Sequence, residues 1–431
     1  MSKEENRKNF SKYVSQNILG MIGFSCYVLA DSYFISIAKG ADGLTALNLV
    51  MPLYSIIFSI GEMIGVGSAI RYAISKIKKD ADADDYFWNA LIWCILSSML
   101  FVFAGIFFSA DIMRVLGADE HIVAVGNNYT KIFMCFAPMF MCNYVTNAFV
   151  RNDGAPGIAM SATLFSSLFN IVFDYILMFP MNLGMEGAAL ATALSPIIGM
   201  GICSIHFFSK KSSVRLVVCK LSVRKLVAGC QLGVSAFVGE MSSAVITLAF
   251  NFVILKLAGN VGVAAYGVVA NIAIVTTAVF NGVAQGSQPL ISSCFGRGDK
   301  DGCTQLKRMG YTTAFVLAAV MYSILFIFAG QFVAVFNSEG SEMLRLYATE
   351  GVKLYFIGIF FAGINIVGGG AFSATEDAFK AAVVSVARGF VLILGAVFVM
   401  SAFFGMTGVW LAYAVAEGIT TFIMLVMAMR V

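Results

Sequence analysis

Residues 157–208 read GIAMSATLFSSLFNIVFDYILMFP, then MNLGME, then GAALATALSPIIGMGICSIHFF. Two apolar runs, 157–180 and 187–208, flank a short turn. Each has the length, roughly 20 residues, that an α-helix needs to cross the hydrocarbon core of a bilayer. Both are too long and too uniformly apolar for membrane β-strands, which run to about 10 residues with alternating polarity. One charged residue, Asp174, lies in the middle of the first run.

Outward from this pair the same pattern recurs. Further apolar runs cover roughly 14–38, 45–70, 86–110, 122–147, 227–255, 263–290, 311–335, 347–371, 381–404 and 408–430, which makes twelve. Of the 431 residues, 59% are apolar and 12% charged, against about 45–50% and about 25% in soluble domains. Mean hydropathy is +0.87. These values exclude a soluble enzyme, a nucleic-acid binder and a disordered scaffold, and they set the fold class as an all-α integral membrane protein. The first run follows Lys3, Arg7, Lys8 and Lys12. It is longer than the roughly 7–15 apolar residues of a signal peptide, so it reads as a retained helix. The nine cysteines form no CxxC and show no disulfide or zinc pattern. Cys26, Cys94, Cys135, Cys142 and Cys203 lie inside runs and read as small buried hydrophobes.

Lysine and arginine set the orientation. The N-terminus and the 71–85, 209–225 and 296–308 loops are basic, whereas the opposite loops hold only Lys39, Arg114, Lys256 and Arg345. The net charge of +4 is explained by this placement and does not point to nucleic acid. The expectation is a multi-pass protein of the cytoplasmic (inner) membrane with both termini cytoplasmic. The chain stops at Arg430-Val431 as the twelfth run ends, and a short tail is expected beyond it.

The halves resemble each other. A shift of 219 pairs Gly40 with Gly259, Gly67 with Gly286 and Ser68 with Ser287. A shift of 221 pairs Gly184-Met185 with Gly405-Met406, and a shift of 223 pairs Ala148-Phe149 with Ala371-Phe372. Six runs per half is an even number, so both halves enter the bilayer the same way and are related by an axis along its normal. The expected lobes are 1–215 and 216–431, joined by the hydrophilic 209–225 segment. Two such lobes with a site between them form a transporter plan. GxxxxGK[ST] is absent, which leaves an ion gradient rather than ATP as the drive.

Charged groups inside spans cost at least a few kcal/mol each near the centre. The candidates are Asp31, Glu62, Lys131, Asp174, Glu240, Lys353, Arg388 and Glu417. Lys131, Lys353 and Arg388 are expected to snorkel or to lie near an interface. Tyr27 precedes Asp31, and Asn170 precedes Asp174, by one helical turn on the same face. With Asn147 and Thr192 these residues make an oxygen-rich pocket. Two carboxylates brought close cannot both stay ionised cheaply, so one binds a proton; alternatively the oxygens hold a hard cation. Either is a coupling-ion site. The second half has no matching pair, since the shifted positions are Asn251 and Gly395. Glu240 is its strongest acidic candidate. Glu62, between Gly61 and Gly65 in a small-xxx-small spacing, suits helix packing or a substrate counter-charge. Asn281 and Gln285 are further substrate-cavity candidates. The 23 methionines and 39 phenylalanines read first as lipid-facing or packing residues, compatible with an adaptable cavity.

Several stretches resemble the multidrug and toxic compound extrusion (MATE) family along the whole chain. They are Ala30-Asp31-Ser32-Tyr33-Phe34-Ile35, Asn147-Ala148-Phe149-Val150-Arg151-Asn152-Asp153-Gly154, Asn170-Ile171-Val172-Phe173-Asp174 with Gly184 to Thr192, and Gly282 to Pro289 leading into Phe295-Gly296-Arg297-Gly298-Asp299. The resemblance implies a V of two pseudo-symmetric six-helix bundles and an antiporter driven by H⁺ or Na⁺, working as a monomer without a cofactor. Its substrates would be amphipathic, often cationic organic compounds. The coupling residues matching the family pattern are Tyr27, Asp31, Asn147, Asn170, Asp174 and Thr192, with Asp31, Asn170, Asp174 and Thr192 as ligands if the ion is Na⁺. A helix-seven acid used by another branch matches Glu240. The chain departs from the family in lacking a proline in the first run, where Gly20 and Gly23 must allow any bend, and in reading Gly233-Val234-Ser235 where many relatives have proline.

Three alternatives stand beside the exporter. A flippase of lipid-linked sugars from the same superfamily requires a strongly basic cavity. A solute importer would use the same ion site in the other direction. A membrane enzyme finds no support in the two histidines, His121 and His206, which lie at or near span ends.

Overall fold

The computed structural model describes residues 3–215, 217–336 and 341–429. Arg430 and Val431, where the expected tail would begin, lie outside the described residues, as does Leu216 at the expected lobe boundary. Among the described residues the regular structure is all helix. Lipid offers no partner to a bare N–H or C=O, so a spanning segment must close its hydrogen bonds within itself.

Twelve spanning helices follow in order. Helix α1 is Lys3–Gly40 and α2 is Asp42–Lys78. Helix α3 is Asp85–Val115, and α4 is Glu120–Cys135 continued by Ala137–Asn152. Helix α5 is Pro156–Met178 and α6 is Gly184–Phe207. The stretch Val223–Gly296 breaks at Gly259 into α7 (223–258) and α8 (260–296). Helix α9 is Lys300–Ile327 with Ala329–Phe336 behind it, and α10 is Glu342–Ala374. The last stretch breaks at Gly405 into α11 (378–404) and α12 (406–429). Each expected run falls in its own helix. Helix α4 bends by 46°, just before Pro138, which lacks an N–H and crowds the preceding turn.

The repeat is written in the backbone. Gly40 (φ 58°, ψ −141°) joins α1 to α2, and Gly259 (φ 62°, ψ −157°) joins α7 to α8. A side chain bearing Cβ is strained in that region, which belongs to glycine. Gly184 and Gly405 also share positive φ, at 52° and 57°. The turns at Lys79 and Gly298, and at Gly154 and Glu376, are left-handed too and sit at matching places in the two halves.

The lobes meet backbone to backbone. A Cβ on Gly67 of α2 would lie 2.0 Å from the carbonyl oxygen of Gly229 in α7, and one on Gly233 would lie 2.0 Å from that of Met63. In the mirrored crossing, Gly282 and Gly286 of α8 lie against Ile18 and Val14 of α1. Small residues at such crossings allow close helix approach. Ion pairs reinforce this contact at the basic end. Arg71 of α2 pairs with Glu376 beyond α10, Lys78 approaches the same carboxylate at 3.6 Å, and Lys225 of α7 pairs with Asp85 of α3. At the other end Asp42–His121, Asn128–Glu186 and Thr407–Glu350 each stay within one lobe. The cleft between the lobes is closed at the basic end.

Gly259→Ala is expected to cost about 1–3 kcal/mol through backbone strain and to lower the thermal midpoint of the detergent-purified protein. Gly201→Ala in α6 is the control: neither added Cβ meets an atom within 4 Å, but only Gly259 has positive φ. Equal midpoints for the two variants would show that the break tolerates a side chain.

Candidate functional site

Helices α1, α5 and α6 converge on two buried carboxylates. Asp31 is 6% exposed and Asp174 0%. Each keeps one oxygen, Oδ1, buried without a hydrogen-bond partner. Asp174 Oδ2 accepts from the Asn170 amide at 3.1 Å, and the amide oxygen accepts from Thr192 Oγ1 at 3.1 Å and Thr192 N at 3.3 Å. This amide orientation follows from chemistry, because the reverse sets the amide oxygen against the carboxylate. The α1–α5 contact that brings the acids together rests on Gly20 and Gly23, which lie against Met160, Thr163 and Leu164. Those glycines serve packing, and α1 runs unbroken to Gly40. Tyr27 lies within electrostatic reach of Asp31, Asp174 and Glu240. The structure therefore gathers Asp31, Asp174, Asn170, Thr192 and Tyr27.

Asn147 stands apart. Its Nδ2 donates to Ala159 O at 3.1 Å and Thr163 Oγ1 at 3.2 Å. Thr163 precedes Asn170 by two helical turns, about 10 Å along α5. Asn147 thus lines the cavity rather than the carboxylate cluster.

Two cavities that share lining residues lie beside this cluster. The larger, about 980 Å³ including space open to solvent, is walled by the first lobe and includes Tyr27, Phe58, Tyr144, Asn147 and Arg151. The smaller, about 580 Å³, is walled by the second lobe and includes Asn281, Gln288, Asn365 and Arg388. Glu62, Glu240 and Gln285 line both. Gly61 and Gly65 pack against Met141 and Tyr144 of α4, as their spacing predicts, and the glutamate between them turns to the cavity. Glu240 has no hydrogen bond or ion pair among the described residues, while Gln285 Nε2 donates to Glu62 Oε1 at 3.1 Å.

Two sequence readings, of Arg388 and of Cys26, need correction. Arg388 does not snorkel. Its Nε and Nη2 donate to Glu417 Oε1 at 3.0 and 2.6 Å, and Asn365 Nδ2 donates to Glu417 Oε2 at 2.7 Å. A half-buried guanidinium is tolerable because the buried Glu417, on the neighbouring helix, neutralises it. Arg388 sits in a π-helical turn, 387–391, which widens α11 locally. Arg151, within the 147–154 stretch that carries the family resemblance and not among the candidate site residues, is 5% exposed and donates to Asn17 Oδ1 at 3.1 Å and to Gln285 Oε1. Cys26 is exposed rather than buried, although all nine cysteines are unpaired thiols. The sequence reading also passes over Tyr54, whose hydroxyl bonds that of Tyr129 and whose ring stacks on Phe133 at 3.6 Å. Its signal was slight, a tyrosine near the proline of a long apolar run.

The MatE family model matches residues 17–176 and 236–399, most of both lobes. The chain belongs to the MatE family. It is a multi-pass membrane transporter and not an enzyme. Among curated relatives, the multidrug export protein MepA of Staphylococcus saprophyticus is 25% identical over 409 residues, covering 93% of this chain and 89% of the relative. A solved structure described as MATE in complex with MaL6 superposes with a TM-score of 0.92 at 20% identity, over 99% of this chain and 96% of that one. Another, described as the outward-facing conformation of a multidrug resistance MATE family transporter of the MOP superfamily, gives a TM-score of 0.89 at 20% identity over the same shares. The family's twelve-helix, two-bundle fold is the one described above.

Arg388→Met is expected to destabilise the protein by about 3–5 kcal/mol, because it strands a buried carboxylate. Adding Glu417→Leu should recover most of that loss. Thermal unfolding of both variants in detergent checks this, and a double variant as unstable as the single one would show that the pair is not the source of the loss.

Proposed function

We propose that this MatE-family transporter exports amphipathic, often cationic organic compounds in exchange for H⁺ or Na⁺. The observation that carries this reading is the buried Asp31–Asp174 pair, with one unpartnered oxygen on each acid. An ionised carboxylate is costly in such a place. A proton on one acid, or a small hard cation between them with the Asn170 and Thr192 oxygens, removes that cost. The ion is a co-substrate here. The multidrug export named for the staphylococcal relative supports the substrate class.

The coupling route we assign passes Tyr27, which lines the larger cavity with Glu240 and lies within electrostatic reach of Asp31 and Asp174. A ligand shifts a two-state equilibrium only through differential affinity. The coupling ion favours one lobe arrangement and the organic compound in the cavity favours the other, so each drives release of its counterpart. The basic end faces the cytoplasm by the positive-inside rule. The protein then sits in the cytoplasmic membrane with its N-terminus inside, and the arrangement described is closed to the cytoplasm. One chain supplies both lobes, so the monomer suffices. A flippase of lipid-linked sugars fits less well: two carboxylates, Glu62 and Glu240, line the cavities, Arg388 is already neutralised by Glu417, and Arg151 alone does not make the strongly basic cavity that reading requires.

In proteoliposomes, an imposed pH or Na⁺ gradient is expected to drive ethidium flux, and Asp174→Asn should abolish the gradient dependence while ethidium still binds. The gradient that works identifies the ion. Flux that survives Asp174→Asn would move the coupling site to Glu240.

A further inference from the structure

The four basic segments at the closed end are not alike. The N-terminal stretch also carries Glu4 and Glu5, the 71–85 loop Asp80, Asp82, Asp84 and Asp85, and the 296–308 loop Asp299 and Asp301. The strap 208–222, which joins α6 to α7, holds cations and no acid. Its backbone is tied down. Ser213 N donates to Asp153 Oδ2 at 2.8 Å, Arg215 N to Asp84 Oδ1 at 3.1 Å and Ser222 N to Asn89 Oδ1 at 2.7 Å, and Val214 is buried in the first lobe's core. The longer side chains are left outside. Lys210, Lys211, Arg215, Lys220 and, in the first turn of α7, Arg224 are exposed, and their side chains make no hydrogen bond or ion pair among the described residues. In the same corner Lys76 pairs with Asp84 and Lys225 with Asp85. Bare apolar side chains stand between the free cations: Phe208 is 81% exposed, Val218 76%, and Val223 is exposed too. Both ends of the strap are ends of spanning helices, so it lies at headgroup level. It is fastened at Asn89 to α3, whose next turns expose Ile95, Leu96 and Leu100. Free cations interleaved with apolar side chains at that level complement an anionic lipid surface.

We propose that the strap and the first turn of α7 form a docking surface for anionic phospholipid headgroups of the leaflet at the closed end. The lipid phosphodiesters accept from the five free cations, while Phe208 and Val218 enter the boundary between headgroups and acyl chains. The surface touches both lobes, because the strap is bonded to the first and continues as α7 of the second. This inference is independent of what the cavities carry, so it stands or falls apart from the exporter reading.

Tryptophan quenching tests it. Trp88 adjoins Asn89, where the strap is fastened. Trp93→Phe leaves it with Trp410 alone, which is buried in the second lobe. The full-length Trp93→Phe protein is reconstituted in phosphatidylcholine vesicles, with part of the lipid replaced by dibrominated phosphatidylglycerol or dibrominated phosphatidylcholine. Bromine quenches tryptophan on contact, so the two curves give the preference for one lipid over the other. Phosphatidylglycerol is expected to be favoured about tenfold or more, and less so in about 1 M salt. Each cation at such a surface is worth about fivefold. Adding Arg215→Gln, Lys220→Gln and Arg224→Gln together should therefore cut the preference about tenfold or more. Arg215→Lys, Lys220→Arg and Arg224→Lys together keep the charges and should keep the preference. Equal quenching by the two lipids without the charge changes overturns the proposal, and it is the result that an acidic protein or a soluble polyanion as the strap's occupant predicts. A preference that survives intact in the Gln variant overturns it as well. So does loss of the preference to millimolar inorganic phosphate but not to chloride of equal ionic strength, which would assign the strap to a free anion. Should the Gln variant not fold, the comparison of the two lipids in its parent decides alone.

Discussion

Helices α2 and α7 touch backbone to backbone at Gly67, Gly229 and Gly233, and most of what surrounds the cavities depends on that contact. No side chain separates the two helices there, so they close one end of the cleft without filling it. The residues next along each helix face the space that the crossing leaves. Glu62 adjoins Met63 on α2, and Glu240 lies two turns beyond Gly233 on α7. The crossing of α8 on α1 does the same on the other side and brings Gln285, beside Gly286, to Glu62 and to Arg151. Packing in lipid gains nothing from hiding apolar surface, since the solvent is apolar too; close contact and polar bonds between helices must supply the specificity. The glycines supply the first. The Arg151–Gln285–Glu62 chain and the Arg71–Glu376 pair supply the second.

Much of this was legible in the sequence. A polar side chain in an apolar run is expensive, so Asp31, Asp174 and Glu240 stand out without any structure, and four-residue spacing places Tyr27 and Asn170 beside the first two. The glycine repeat was legible because a left-handed break leaves few residues to choose from; Gly40 and Gly259 share both a sequence shift and a backbone conformation. Three features were hidden for a common reason, which is that direction around a helix axis is not a matter of spacing alone. Asn147 lies on a plausible face but points two turns away along α5. Arg388 and Glu417 pair across helices 29 residues apart, and nothing local announces it. Arg151 hides in a turn motif beside Asn152, Asp153 and Gly154, where an arginine ordinarily faces water. Its neighbour Asp153 has its own buried partners in His206 and Tyr72, so the side chains of Arg151 and Asp153 are both turned inward.

The two lobes share a backbone plan but treat buried charge in opposite ways. In the second lobe Arg388 meets Glu417 in a satisfied pair, and Asn365 and Thr421 bind the remaining polar atoms around it. Removing or adding a charge there leaves a partner stranded, so the pair resists change. In the first lobe the acids have amide and hydroxyl neighbours but no cation, and each keeps an oxygen unmatched. No ion pair is lost there when a proton or a cation arrives, so their charge state can change without stranding a partner. The proposed exchange calls for one lobe that responds and one that keeps its shape. A rigid ion pair on one side and an incomplete carboxylate pair on the other divide those tasks, which explains why a duplicated backbone carries chemistry that is not duplicated: Asp31 and Asp174 correspond to Asn251 and Gly395, which hold no charge to change.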